Sequence, residues 1–374
     1  MRKSWLLLLT LCFILVLAAC GGEEKDTSVD EVAGDEETTD EATKETASDG
    51  DGEEYVLKLA HSHPQASMHH KYVEWFDEQI QERSDGRLKI EAYSDAQLMP
   101  SDQEIPGMLQ GQVDMVHSSS AIAGSFDPIW YFFDLPFLFD YDPEDNDVYM
   151  DNKKAFMDSE EGGRKVANMM EDKGVKVLSM SSTDMYGTIW TGDEKNLVTD
   201  TASVEGLKIR VPGGPVAAET LKNLKGSGTS IPGPELPTAL QQKVVDGMVI
   251  VPLYVYDNKL PIENQSLYPL ISYVMPFMIS MDTFESLPED LQEILVETGK
   301  DLEVYADELV REEGADIFER LEEEQGIETY YPSEDEIAEW EEATKDIYDS
   351  FSEEEPRAAE LIEEAERIKE ESQD

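Results

Sequence analysis

Residues 203–214 read S-V-E-G-L-K-I-R-V-P-G-G. Leu207, Ile209 and Val211 alternate with polar neighbours, the period of a short strand, and the run stops at Pro212-Gly213-Gly214, a turn signal. Arg210 lies inside this apolar run, in a chain with 84 acidic side chains and 29 basic ones. A surface arginine needs no such setting. An arginine meant to meet a negative ligand sits well at the mouth of a strand, in a cleft.

Working outward, the spacing predicts a helix over 216–224, a short extended piece over 227–232 and a helix over 234–243 with proline in its first turn. A strand follows over 245–253. Upstream, Y-G-T-I-W-T (186–191) reads as the strand entering this unit, so Tyr186, Trp190, Tyr254 and Tyr256 fall on strands near the crossings between domains. Their rings suit the body of a ligand or the core. A larger α/β unit precedes it. Strands are expected over 55–63, 87–93, 113–120 and 175–180, and helices over 68–81, 104–111 and 160–173. Tyr72, Val73, Phe76 and Ile80 share one helical face. Strand, helix, strand, helix, strand fits a mainly parallel sheet covered by helices. From Leu287 onward the pattern is long helices. Residues 333–374 carry 18 acidic and 4 basic side chains over a thin apolar stripe of Leu361, Ile362 and Ile368, which predicts a peripheral helix pair with a frayed end.

The N-terminus sets the compartment. M-R-K-S-W-L-L-L-L-T-L-C-F-I-L-V-L-A-A-C-G-G places two positive charges before an apolar segment too short and wrongly flanked to span a bilayer, a secretory signal over 1–19. L-A-A-C-G-G resembles the bacterial lipobox, which makes Cys20 the lipid-modified first residue of the mature chain and the anchor to the cell membrane. The other cysteine, Cys12, falls in the removed segment, so no disulfide framework remains. Residues 21–54 hold 15 acidic and 2 basic side chains and almost nothing apolar, a solvated tether. The net charge of −55 argues against nucleic acid as a partner, and its even spread suits a salty, halophilic setting.

G-L-K-I-R-V-P followed by A-L-Q-Q-K-V-V-D-G (239–247) resembles the solute-binding proteins of tripartite ATP-independent periplasmic (TRAP) transporters, the dicarboxylate-binding, DctP-like type. So do D-G-R-L-K-I-E-A-Y-S-D-A-Q-L (85–98), G-Q-V-D-M (111–115), F-D-L-P-F-L-F (133–139) and S-L-P-E-D-L-Q-E (286–293). The ordered set covers residues 55–320. The resemblance implies a two-domain α/β periplasmic-binding-protein fold with hinge strands and a long helix crossing both domains. The domains close over a ligand that is delivered to a sodium-coupled membrane permease. It implies domain I over 55–184, domain II over 185–274, a return through domain I with the crossing helix over 275–315, and domain II helices with an acidic extension over 316–374, after the leader 1–19 and tether 20–54. Arg210 matches the family arginine that pairs with the ligand carboxylate. His61, at the end of the first strand, falls where the family presents a polar side chain to the cleft, and Ser118, Ser119 and Ser120 follow the third strand, at the end where α/β sheets open onto ligands. Two departures remove polar grip. Gly187 stands near the place of a second family arginine, and M-V-I-V-P replaces the polar run after V-D-G. These favour a monocarboxylate with an apolar or aromatic body; a zwitterionic osmolyte such as ectoine would suit a salty habitat. Family precedent exists for a calcium ion bridging a bound carboxylate; the carboxylates here permit it, but no loop shows ligand spacing.

Two other classes compete with this reading. Four histidines lie in H-S-H-P-Q-A-S-M-H-H (61–70), ligands that zinc or manganese would accept, which makes a metal-binding transport lipoprotein the rival binder. His61 and His63 share strand parity, but His69 and His70 face different sides of a helix, so no metal is assigned. An extracytoplasmic hydrolase is disfavoured, because G-x-S-x-G, H-E-x-x-H, the P-loop and a G-x-G-x-x-G opening a helix are all missing.

Overall fold

The computed structural model describes residues 52–372 of the chain. The signal segment, Cys20 and nearly all of the tether lie outside the described residues. Strands are β1 (Tyr55–Ala60), β2 (Leu88–Tyr93), β3 (Met115–His117), β4 (Val175–Ser181), β5 (Gly187–Thr191), β6 (Lys208–Val211), β7 (Ser227–Ser230), β8 (Gly247–Ile250), β9 (Asn264–Ile271), β10 (Met275–Ser280) and β11 (Glu328–Tyr330). They form a five-stranded sheet, β2-β1-β3-β10-β4, and a six-stranded sheet, β11-β9-β5-β8-β6-β7. In the first, β1 runs parallel to β2 and β3, while β10 lies antiparallel between β3 and β4. The second unit is therefore not the smaller in strands.

Helices α1 (Met68–Arg83), α2 (Glu104–Leu109), α3 (Ser120–Phe126), α4 (Asn146–Asp158) and α5 (Gly163–Asn168) precede the first crossing between sheets, over residues 182–186. Helices α6 (Val216–Asn223), α7 (Leu236–Gln241) and α8 (Pro252–Asn258) cover the second sheet. After the return crossing at 272–274 come α9 (Met281–Ser286), α10 (Glu289–Gly314), α11 (Ile317–Gln325), α12 (Glu334–Thr344), α13 (Asp346–Glu354) and α14 (Ala358–Ser372). This is the two-domain α/β periplasmic-binding-protein fold, with α10 and the α12–α13 pair linking the domains.

Local chemistry explains the elements. The Ser67 hydroxyl caps α1, and the four residues expected on its apolar face, Tyr72, Val73, Phe76 and Ile80, are all buried. They pack with Leu57 and Leu59 of β1 and Phe277 of β10 in one core. Helix α10 lies close on β4: a Cβ at Gly299 would fall 2.1 Å from the Leu178 carbonyl oxygen, so only glycine fits.

The strand expected over 245–253 ends at Ile250. Pro252 has no N–H for a ladder bond but suits the first turn of a helix, and α8 begins there. Tyr254 and Tyr256 consequently lie on a helix and not on a strand. The C-terminal segment forms three helices, not a pair. Trp340 of α12 is fully buried and stacks on Tyr268 at 4.1 Å, and Leu361, Ala365 and Ile368 of α14 are buried.

Candidate functional site

Strand β6 carries Arg210 with only 3% of its surface exposed. Its Nε donates to the Ile231 carbonyl at 2.9 Å and Nη1 to the Val249 carbonyl at 3.4 Å. Among the described residues no carboxylate pairs with it. A guanidinium has five N–H donors, so two bonds leave a fork unused. Burial pulls its pKa below the ordinary value, opposed by nearby Tyr273 and Tyr254. A desolvated cation held by carbonyls alone keeps donors that an anion could use.

The surroundings come from both domains. Tyr273 lies in the return crossing, with its hydroxyl beside Ser119 and within electrostatic reach of Arg210, Asp134 and Tyr254. Tyr254 of α8 is partly exposed and donates to the Gly233 carbonyl at 3.4 Å. Ser119 caps α3, accepting the Ile122 N–H at 3.3 Å. The loop after Arg210 seats on the first domain. Gly214 has φ +72°, and a Cβ there would lie 2.5 Å from the Tyr131 ring and 3.0 Å from Asp134 Oδ2. Asp134 Oδ2 has no partner, and burial pushes its carboxyl up to about 8. Ser118 and Ser120 hydroxyls are also buried and unpartnered, as are both oxygens of Glu104, although Ser62 and Ser118 lie beside it. Desolvation raises Glu104 to about 8. Asp134 Oδ2 and the Ser120 hydroxyl are thus buried polar atoms of the first domain without a hydrogen-bond partner.

The structure brings Arg210, Ser119 and Tyr254 into one neighbourhood. Tyr186 and Trp190 are fully buried with their polar atoms already engaged: Tyr186 donates to Asn146 Oδ1 at 3.4 Å and packs on Tyr149, and Trp190 Nε1 donates to the Ile250 carbonyl at 2.8 Å. Both are core residues. His61 is 1% exposed and belongs to a different group. All five histidines of the chain gather there. His61 Nε2 lies 3.0 Å from His70 Nδ1, and His69 Nδ1 lies 3.3 Å from His117 Nε2. His63 stacks on His69 with centroids 3.7 Å apart. These are two nitrogen pairs and not one convergent set. Among the described residues, no three His, Cys, Asp or Glu side chains are arranged to hold a metal ion. Burial depresses His61 to about 4 and His63 to about 3, and holds His69 and His117 well below the usual value.

Sequence reasoning missed Tyr273, Asp134, Glu104 and Lys153. Only the strand-end rule offered a signal, and it pointed to the serines.

A two-domain clamp with a buried, unpaired guanidinium near its crossings defines a class of solute receptors. Residues 59–355 match the model of the bacterial extracellular solute-binding protein family 7 (DctP), and the chain belongs to this family. It is a solute-binding transport protein of this family and not an enzyme. It is 24% identical over 274 residues to the 2,3-diketo-L-gulonate-binding periplasmic protein YiaO of Escherichia coli K12, covering 71% of this chain and 78% of that one. It is 22% identical over 313 residues to the C4-dicarboxylate-binding periplasmic protein DctP of Rhodobacter capsulatus, covering 80% and 87%. A TRAP periplasmic solute-binding protein of Haemophilus influenzae, crystallised with bound L-gulonate, shares the fold at TM-score 0.74 and 23% identity, over 84% of this chain and 99% of that one.

Proposed function

We propose that this protein captures a small organic monocarboxylate on Arg210 by closing its two domains, and presents the closed complex to the membrane subunits of a TRAP-type permease. The buried guanidinium without a carboxylate partner carries this reading. Ligand bridging the domains stabilises the closed state, which the permease distinguishes from the open one. Related receptors bind L-gulonate, 2,3-diketo-L-gulonate and C4-dicarboxylates, all of them carboxylates. One feature favours a single held charge. A side chain at Gly187, near the place of the second family arginine, would meet Ile271 Cγ1 at 2.2 Å.

The test is a thermal-shift panel at low and high salt with L-gulonate, succinate, benzoate, ectoine and zinc chloride. A monocarboxylate is expected to raise the melting temperature by several degrees, as about 100 Kd of ligand adds about 2.7 kcal/mol. A shift with zinc alone would transfer the site to the histidines. The acidic tether and the lipobox pattern support anchoring through Cys20 on the outer side of the cell membrane. Cys20→Ser is expected to move the protein from the membrane fraction to the soluble one, and retention in the membrane would count against the anchor.

A further inference from the structure

Two crossing strands and two helical links join the domains, and one helix, α4, touches both crossings and α10. On one face of α4, Tyr149 hydrogen-bonds through its hydroxyl to Ser272 Oγ, and Lys153 donates to the Tyr273 carbonyl at 2.9 Å, both in the return crossing. The same Lys153 ammonium reaches the Asp184 and Met185 carbonyls of the first crossing, each at 3.4 Å. Asn146, on that face at the start of the helix, accepts the Tyr186 hydroxyl of the first crossing. On the neighbouring stripe, Asp147 and Asp151 pair with Arg311 of α10 at 2.6 and 2.7 Å. Lys153 is 1% exposed, and among the described residues no carboxylate lies within ion-pair distance of it.

The Asp184 carboxylate extends the cluster. It accepts the Met185 N–H at 2.9 Å and, across to the second domain, the Leu253 N–H in the first turn of α8 at 2.7 Å. Thus one cation binds the main chain of both crossing strands, and the acid beside it fastens the helix that carries Tyr254. Tyr273, whose carbonyl Lys153 holds, is the residue whose phenol interacts electrostatically with Arg210.

We propose that Lys153, together with Asp184, is the positioning pair of the clamp: it holds both hinge strands and α8 in the register that sets Tyr273 and Tyr254 against the ligand on Arg210. A buried ammonium satisfied only by main-chain carbonyls fixes the backbones that supply them, because their separation would leave the charge desolvated and unbonded. Moving one crossing without the other breaks that arrangement, so the two strands bend as a unit. The ligand part of this inference rests on the carboxylate reading of Arg210, while the hinge part does not.

The experiment compares wild type with Lys153→Met in the full chain. Amide exchange is followed without ligand at residues 182–186, 253–256 and 272–274, with β1 and β9 as internal references. The dissociation rate of the acid that most stabilises wild type is then measured. Lys153→Met is expected to speed exchange at all three segments at least tenfold, to leave β1 and β9 unchanged, and to raise the dissociation rate about tenfold or more. A general loss of stability would move the references as well, and that result, or unchanged exchange at either crossing, overturns the proposal. An unchanged dissociation rate with altered exchange also overturns the positioning role. If no acid binds wild type, the carboxylate reading fails by itself and the exchange result still decides the hinge. Should Lys153→Met fail to fold, Asp184→Asn keeps the shape and removes the charge. Faster exchange at 253–256 and 182–186 is then expected, and its absence overturns the proposal.

Discussion

Arg210→Ala is expected to weaken carboxylate binding by roughly two to three orders of magnitude, corresponding to about 3–4 kcal/mol for truncating one partner of a desolvated charge pair. The ligand-free protein should behave in the opposite sense. Its guanidinium is buried at 3% exposure and held by the Ile231 and Val249 carbonyls, with no carboxylate partner among the described residues. Removing such a charge relieves desolvation, so Arg210→Met should leave the ligand-free melting temperature unchanged or raise it, by about 1 kcal/mol. Arg210→Lys keeps the charge but loses the fork and should bind about tenfold more weakly than wild type. Calorimetric titration and melting curves of the three variants check this. A large loss of ligand-free stability in Arg210→Met would make the arginine a structural residue and not a receptor.

The second large effect is an acid-side loss of stability located in the histidine cluster. His61 and His63 are held near 4 and 3, against about 6.5 in the unfolded chain. Between pH 6.5 and about 3 the unfolded state therefore binds protons that the folded state refuses, and stability falls as pH falls. For each such imidazole the loss is about 1.4 kcal/mol per pH unit within that window, so the two groups together account for several kcal/mol by about pH 4. Three buried acids act in the other direction. Glu104 and Asp134 near 8 and Asp184 near 7 are raised by burial, so each costs stability at high pH, a cost relieved as pH falls toward about 4. The clean readout is a difference between proteins. His63→Phe, which keeps an aromatic ring on His69, should gain on wild type as pH is lowered from 7 to 4 in urea melts. Parallel pH profiles for the two proteins would refute the assignment.

Much of the architecture was legible because buried faces impose periods. Tyr72, Val73, Phe76 and Ile80 announced α1, and Ile209 and Val211 marked the strand that carries Arg210. Pro252 was visible too, yet the apolar run V-D-G-M-V-I-V-P-L hid the change from strand to helix, since a short apolar run has no period that separates the two. The site was legible only where a motif pointed to it. Lys153 sits in M-D-N-K-K-A-F-M and looks like any helical surface lysine. Its burial follows from two crossing strands more than 30 and more than 115 residues away, which no local pattern reports. Asp134 and Glu104 were hidden by abundance, for in a chain with 84 acidic residues a buried carboxyl has no distinguishing neighbourhood in sequence. The histidines failed in the other direction. Their crowding in sequence was real in space, and His117 joined them from β3, but proximity did not amount to convergent ligation.

The position of β10 has a consequence for biogenesis. This strand pairs Met278 with Val116 on one side and with Val177 on the other, closing the first sheet from its middle. A growing or translocating chain that has exposed β1 to β4 therefore holds two strand edges facing an empty slot, until nearly a hundred further residues have followed. The first domain cannot complete its sheet until β5 to β9 of the second have followed, and contacts of such long range form slowly. The delay prolongs the time that the first sheet spends unpaired. It also makes any fragment ending before Met275 a pair of unpaired edges open to aggregation.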